Sequence, residues 1–378
     1  PLKPDLKKLH RYLEKINQRG WFTNFGPLHN ELTEKLEEYL GVQNLLLVAN
    51  GTIALQLAGR ALGVDNIITT PFSFVATASA FRWQKDTLSF ADIERKSYNL
   101  CPDAASAAIK QDSTLNAILA THVYGNPCDV DQFESLSNKN NVRVIYDAAH
   151  TFGVKVGDKS VLNYGDASAL SFHATKVFNT VEGGAVVFRE KSHYDKAKHM
   201  INFGIDPCNG IVETGLNGKL NEYQAAVGLV NLERMDDVLE HRAALFELYH
   251  SALKDIVELP EWHSKATLNG AYMPIKMRSS EKAKQLTRFI QNCGSETLDF
   301  ELTFEQFIRQ IIRDSLVYDQ CCFEVVRNKR EEIIGFLPVD ASTIRRSKIT
   351  KDEKDAGRKD PQKTAYLQVL NDKVVAEF

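Results

Sequence analysis

The chain has 378 residues, 43% of them hydrophobic and 25% charged, with a formal net charge of −3; this length and balance suggest an ordinary globular protein of two or three domains. The near-neutral charge gives no footing for a nucleic-acid or membrane surface, and no run approaches the roughly 18–20 uninterrupted apolar residues of a membrane span. Six scattered cysteines lack metal-type spacing and Cys321 and Cys322 are adjacent, so reduced thiols in a cytoplasmic protein without a bound metal are expected.

The start, Pro1-Leu2-Lys3-Pro4-Asp5, does not read as a secretory signal, and its missing Met suggests a trimmed end. Residues 5–40 carry helix-like patterns interrupted at Gly20 and at Gly26-Pro27. From about 45 to 230, short apolar runs alternate with helical patterns. The strand candidates are Leu45 to Val48, Asn66 to Thr69, Ala117 to Thr121, Val142 to Tyr146, Ala167 to Phe172 and Ala185 to Phe188. Runs of this kind, apolar on both faces and separated by helices, predict a mostly parallel α/β sheet. Apolar residues at helical spacing predict one long helix from Asn221 through Tyr249.

The composition then changes. Of the 21 glycines, only Gly294, Gly335 and Gly357 fall after residue 276. Cys321 to Asn328 and Glu332 to Leu337 are expected to pair as a hairpin around Lys329-Arg330-Glu331, and the charge-dense stretch from Lys348 to Lys363 reads as an exposed loop.

The chemistry concentrates before that change. Lys176 follows an apolar strand-like run, in Ser171-Phe172-His173-Ala174-Thr175-Lys176, and precedes Glu182-Gly183-Gly184. Asp147 ends another such run and opens Asp147-Ala148-Ala149-His150. A lysine able to form a Schiff base, with an acid able to hold a pyridinium nitrogen, is the minimum equipment for pyridoxal phosphate chemistry. Taken alone, Lys176 reads as a solvated surface lysine, the usual fate of lysine, and Asp147 as a polar cap at a strand's carboxyl end. That edge, however, is where open α/β sheets collect their ligands. Asn50-Gly51-Thr52 follows the first strand and opens a helical run, Ile53 to Leu62, so its amides and hydroxyl suit a phosphate, or serve as a plain N-cap. Phe74 is a flat surface for a cofactor ring, or a core aromatic.

Taken together, these segments resemble the DegT/StrS-type nucleotide-sugar aminotransferases, a branch of the fold-type I pyridoxal phosphate enzymes. The stretches that carry the resemblance are Gly26-Pro27-Leu28, Asn50 to Leu55, Pro71 to Thr77, His122 to Pro127, Asp147 to His150, Ser171 to Gly184 and Gly215 to Glu222, in the family's order. They cover residues 20 to about 275. The resemblance implies a pyridoxal phosphate-binding large domain over residues 1–275 that includes an N-terminal helical segment, followed by an atypical segment over 276–378. It implies a catalytic set of Lys176, Asp147 and His150, with Lys176 forming the Schiff base and moving protons, Asp147 pairing with the ring nitrogen, and His150 beside the ring on its hydroxyl side. Gly51, Thr52 and Ser171 are implied to hold the phosphate and Phe74 to stack on the ring. Asn217 is implied to reach the phosphate of a neighbouring subunit, in a homodimer with shared sites. His173 is implied to pack and orient the lysine loop.

Some members of the family are dehydratases with histidine at the Schiff-base position, so lysine favours transamination. The implied substrates are a dTDP-linked keto-deoxysugar and, as amino donor, glutamate. The family's small closing domain is not legible after about residue 278. In its place Phe307 to Ser347, Leu337 to Arg345 and Tyr366 to Asn371 resemble a fragment of a tailed-phage portal protein, so residues 276–378 are read as a mismatched α+β segment behind an artificial or recombined junction. Its net charge of +2 suggests no nucleic-acid role. Two alternatives follow: a portal-like structural piece, or a chain that binds the cofactor but is catalytically silent.

Overall fold

The computed structural model describes residues 2–255 and 257–276, together with the backbone of five strands between 322 and 377. The chain divides into two units, Pro1–Lys276 and Met277–Phe378. The first contains strands β1 (Leu45–Val48), β2 (Asn66–Thr69), β3 (Thr87–Phe90), β4 (Ala117–Thr121), β5 (Arg143–Asp147), the short hairpin β6 (Lys155–Val156) and β7 (Lys159–Ser160), then β8 (Ala167–Ser171), β9 (Gly184–Phe188) and the small ribbon β10 (Ile205–Asp206) and β11 (Gly210–Ile211). Seven of these form one sheet in the order β1-β9-β8-β5-β4-β2-β3. The run from β3 to β8 is parallel, and β9 is antiparallel to both neighbours, β8 and β1. The expected mostly parallel α/β sheet is what forms.

The strands of its centre are buried on both faces. Along β1, Leu45 and Leu47 belong to one apolar core, and Leu46 and Val48 to the other, as the two-residue period of a strand requires. Helices cover both sides. On the first face lie α1 (Leu6–Arg19), α2 (Pro27–Leu40), α5 (Pro102–Gln111), α6 (Val130–Asn140) and α8 (Glu222–Leu232); on the second lie α3 (Gly51–Leu62), α4 (Val75–Trp83) and α7 (Lys191–Met200). α2 buries Leu28, Leu32, Leu36 and Leu40, a single four-residue stripe, each side chain contributing about 1.5–3 kcal/mol on leaving water.

Three expectations need correction. The helix read from Asn221 through Tyr249 is two helices, α8 and α9 (Met235–Leu253), because the backbone at Arg234 leaves helical geometry at φ −112°, ψ 5°. The burial explains the break: nine of α8's residues are buried, whereas α9 buries only Met235 and Phe246. A core helix and a surface helix need different directions. β3 was not anticipated, since it is an edge strand with exposed and half-buried residues rather than an apolar run. Finally, the fourth predicted strand is shifted by one residue at both ends and the fifth and sixth differ by one residue at one end, with Asp147 and Gly184 inside the sheet and Phe172 outside it.

In the second unit, β12 (Cys322–Arg327) pairs antiparallel with β13 (Ile333–Val339), as the expected hairpin requires. β14 (Ile344–Ser347), β15 (Ala365–Leu370) and β16 (Lys373–Glu377) form a separate antiparallel sheet. The loop expected from Lys348 to Lys363 lies outside the described residues.

The start of α2 is held by a distant carboxylate. Glu222 is 1% exposed and accepts the Leu28 N–H at 3.0 Å and the His29 N–H at 2.8 Å, two first-turn donors that the helix cannot satisfy itself. Replacing Glu222 with Ala leaves both buried and unpaired, at a cost of about 2–3 kcal/mol. A melting experiment should show a fall of about 5 °C; an unchanged melting temperature would refute this role for the carboxylate.

Candidate functional site

The sheet's register assembles the site at one edge. Thr121 at the end of β4 lies opposite Asp147 at the end of β5, and Asp147 lies opposite Ala169, two residues before the end of β8. Ser171, the last residue of β8, pairs with Gly184, and Gly184 pairs with Val48 at the end of β1. The turn Asn50-Gly51-Thr52 after β1 is thereby brought beside Ser171 and Asp147, at the carboxyl ends of the parallel strands. A Cβ built on Gly184 would lie 2.7 Å from the Asn50 carbonyl carbon, and one on Gly51 would lie 2.8 Å from the Ser171 Cβ. The chain approaches itself here more closely than any side chain allows.

These residues line a cavity of about 650 Å³. Of the residues expected from the sequence, Lys176, Asp147, His150, Gly51, Thr52, Phe74 and Ser171 all border it, as does His173. Asn217 does not: it lies outside the cavity's lining, exposed, and bridges Asn202.

The phosphate candidate follows from capping. Asn50 is the N-cap of α3, and its Oδ1 accepts the Ile53 N–H at 2.9 Å. That bond satisfies the third amide of the helix. The Gly51 and Thr52 amides, at the positive end of the helix dipole, are left beside the cavity with the Ser171 hydroxyl across from them.

Lys176 sits on a loop that is stiff at both ends. Phe172 and Phe178 are fully buried and meet edge to face at 4.9 Å, and Phe152 from the Asp147 loop stacks on Phe178 at 4.6 Å. The Phe172 N–H donates to the Gly183 carbonyl and the Thr180 N–H to the Phe172 carbonyl; between these ties, the Lys176 N–H closes a turn on the His173 carbonyl at 2.9 Å. The His173 imidazole is held within that turn, with Nδ1 2.8 Å from the Thr175 hydroxyl. The sequence implied an orienting role for it, and this contact is compatible with one. Burial lowers the Lys176 amine below its ordinary value, opposed by the nearby Asp147 charge.

Asp147 is 6% exposed. Its Oδ2 accepts the Thr77 hydroxyl at 2.7 Å and its Oδ1 the Ala149 N–H at 3.1 Å. Burial pushes its carboxyl above the usual range, and the Thr77 hydroxyl, the Ala149 amide and the Lys176 charge push it back. His150 is driven down to about 3 by burial and then by Lys176, so its ring is neutral. Its Nδ1 is buried without a hydrogen-bond partner while the ring leans on Tyr272 at 4.6 Å. Phe74 caps α4 at the rim with 74% of its surface exposed, an aromatic face with little packed on it.

The residues fit pyridoxal phosphate on these observations: a helix-terminal cradle whose Gly51 admits no side chain, an unpartnered buried nitrogen at His150, an open aromatic face at Phe74, and an acid and an amine on one cavity. Sequence reasoning missed further wall residues: Ser73, Thr121, Tyr124, Glu182 and Tyr272, and Thr77 behind Asp147. Thr77 and Ser73 lie within the quoted Pro71-to-Thr77 stretch, where their i, i+4 spacing at a helix start was the available clue. Val181, a β-branched residue at φ +69°, holds Glu182 at the wall in a backbone conformation that such residues rarely adopt.

The family model for the DegT/DnrJ/EryC1/StrS aminotransferases matches residues 5–324, further along the chain than the quoted motifs reach. A dTDP-4-amino-4,6-dideoxy-D-glucose transaminase of Shigella dysenteriae is 44% identical over 284 residues, covering 74% of this chain and 76% of that one. A protein of the same name from Escherichia coli is 37% identical, covering 73% and 75%. The solved structure of DesI in the presence of its TDP-sugar product is 32% identical with a TM-score of 0.69, covering 73% and 71%. None of these relatives supports the portal reading of residues 279–378.

Two outcomes test the site. Gly51→Ala should weaken pyridoxal phosphate binding at least about tenfold in an absorbance titration, since the new methyl group must displace Ser171; unchanged affinity would remove Gly51 from the cradle. Acid should also loosen the cofactor-free fold. Burial holds His29 at about 4, and His122 and His150 at about 3, against 6.5 when exposed. Each neutral ring stabilises the fold fully above pH 6.5, and that contribution is lost as pH falls towards those values. Asp147, raised in the fold, works in the opposite sense but is one group against three. The melting temperature should fall from pH 7 to 4, and less steeply in His150→Asn; a flat profile would contradict the burial argument.

Proposed function

This chain belongs to the DegT/DnrJ/EryC1/StrS aminotransferase family, whose members are pyridoxal phosphate-dependent, and from that premise we propose that it aminates the keto carbon of a dTDP-linked deoxysugar with glutamate as donor. The observation that carries this reading is the convergence of Lys176 and Asp147 on one cavity whose far wall is the Gly51-Thr52 helix terminus. The nucleotide-sugar class is supported by relatives at 37–44% identity that are dTDP-sugar transaminases by name.

The roles follow from each residue's surroundings. Bound pyridoxal phosphate supplies an electron sink for the pair left behind when a proton leaves the substrate carbon. The Lys176 Nζ, whose burial favours the neutral amine, would take that proton and return one at the neighbouring carbon. Asp147 holds the ring nitrogen's proton through its free lone pairs. Neutral His150 would offer Nδ1 to the ring hydroxyl, Phe74 would cover the ring face, and Gly51, Thr52 and Ser171 would hold the phosphate.

The reading includes a homodimer. Asn217 is exposed and outside its own chain's cavity lining, bridged to Asn202, and the following segment exposes the apolar side chains of Phe203, Ile205, Ile211 and Val212. A second copy placed over this surface receives Asn217 at its phosphate and covers apolar area that a monomer leaves in water.

The test is the visible spectrum of the full-length chain with pyridoxal phosphate, before and after glutamate. A cofactor band that bleaches with glutamate is expected. A band that no amino donor bleaches would identify a silent binder, and no band at all would sink the enzymatic reading. Lys176→Ala should lose the band's lysine-dependent form and turnover by at least about a thousandfold; near-normal turnover in that variant would overturn the assignment of Lys176.

A further inference from the structure

Behind Asp147 lies a line of three hydroxyls that the proposed reaction leaves without a role. The Thr77 Oγ1 donates to Asp147 Oδ2 at 2.7 Å, the Ser73 Oγ lies 2.6 Å from Thr77 Oγ1, and the Thr121 Oγ1 lies 3.1 Å from Ser73 Oγ. Three elements meet to build it. Thr121 ends β4 directly opposite Asp147, Thr77 stands in the first turn of α4 with its N–H on the Phe74 carbonyl, and Ser73 lies two residues before that helix begins. Thr77 is 1% exposed and Thr121 7%.

With Asp147 ionised, counting protons fixes the direction of the line. An ionised carboxylate only accepts, and each hydroxyl has one proton to give. The Thr77 proton is committed to Asp147, so the Ser73 proton goes to Thr77 and the Thr121 proton to Ser73. All three dipoles then point towards the carboxylate, and each polarises the next. They occupy one lone pair of Oδ2, the Ala149 amide occupies one of Oδ1, and the remaining pairs are free for a ring nitrogen.

We infer that Thr121, Ser73 and Thr77 form a one-way hydroxyl chain that keeps Asp147 ionised and aimed at the cofactor's ring nitrogen, with Thr77 as its positioning residue. The chain rests on the pyridoxal phosphate reading above. Its necessity is physical. A carboxylate this deeply buried takes up a proton unless donors hold its charge, and a protonated Asp147 has no hold on a pyridinium. Lys176 cannot replace the chain, because its own charge is weakened by burial and is lost when its amine enters the chemistry. The hydroxyls stay neutral throughout, Thr77 buried and Ser73 and Thr121 at the cavity wall.

The experiment titrates pyridoxal phosphate into the full-length chain and into the variants Thr77→Val, Thr77→Ser, Ser73→Ala and Thr121→Val, reading affinity and the pH midpoint of the visible band. Thr77→Val keeps the side chain's shape and removes the donor. Its affinity should fall roughly ten- to a hundredfold, the loss of a hydrogen bond to a buried charge. Its band midpoint should rise, because a ring without positive charge at nitrogen holds the adjacent Schiff-base proton more firmly. Thr77→Ser should stay within about threefold of wild type, and the losses should be ordered Thr77→Val, then Ser73→Ala, then Thr121→Val. With the cofactor analogue that carries carbon in place of the ring nitrogen, the Thr77→Val loss should largely disappear.

Unchanged affinity and midpoint in Thr77→Val would overturn the inference. An equal loss with the carbon analogue would also overturn it, showing that the hydroxyls serve packing alone. Should Thr77→Val fail to fold by circular dichroism, the Ser73→Ala midpoint decides: raised, the chain stands; unmoved, it falls. A wild-type chain without a visible band would overturn the reading beneath the chain, a result none of the variant outcomes resembles.

Discussion

The site depends on one strand running the wrong way. β9 lies antiparallel between β8 and β1, and its first residue, Gly184, is bonded to both carboxyl-terminal strand ends. Because β9 starts where its neighbours finish, the loop carrying Lys176 leaves β8 and re-enters the sheet at the same edge. The lysine therefore cannot stray from the turn of Asn50 to Thr52. The absence of a side chain at Gly51 and Gly184 lets the two backbones touch. Strand direction, glycine placement and lysine position are one constraint expressed three ways.

The electrostatics follow from that compression. Burial at the strand ends weakens three charges there: the carboxyl of Asp147 rises, and the amine of Lys176 and the ring of His150 fall. For the amine this is useful, since a neutral lysine is the nucleophile. For the carboxylate the same burial works against the task, so donors gather around it and not around Lys176. The contrast between Asp147, tied by Thr77 and Ala149, and His150, whose Nδ1 is left bare, separates a group that must hold a charge from a group that must meet a ligand.

Much of this was legible in the sequence, for reasons that differ by element. Central strands buried on both faces announce themselves as unbroken apolar runs, which is why Leu45 to Val48 and Ala117 to Thr121 were placed to the residue. β3 was not, because an edge strand such as Thr87–Phe90 carries no such run. The join between α8 and α9 was hidden because apolar periodicity continues through Arg234 while the burial does not. Lys176, Asp147 and Gly51 stand out because rare chemistry follows strand ends. Thr77 and Ser73 do not, since a hydroxyl at a helix start is ordinary until the register shows which carboxylate it faces. Asn217 lies beyond the reach of one chain: its implied partner is a phosphate in a second copy. The composition change after residue 276 was visible, and the division at Lys276 and Met277 coincides with it, but the family match runs on to residue 324. Sparse glycine and unfamiliar wording are not by themselves a foreign segment.

The features that identify the site are also the ones that cost the fold most without a ligand. A carboxylate held charged against burial, an unpartnered imidazole nitrogen, a half-buried amine, an exposed aromatic face and first-turn amides beside an open cavity are each unfavourable in a cofactor-free chain. Pyridoxal phosphate bound here would relieve them together, with Gly51, Thr52 and Ser171 to hold its phosphate and Phe74, His150 and Asp147 to meet its ring. Binding to the folded state alone then stabilises the chain by mass action. The same arithmetic explains why the wall residues come from so many segments, from Asn50 to Tyr272: a ligand that bridges them acts as a tie across the whole carboxyl edge of the sheet. Local misfit, spread over β1, β4, β5 and β8, becomes global stability once the cofactor is in place.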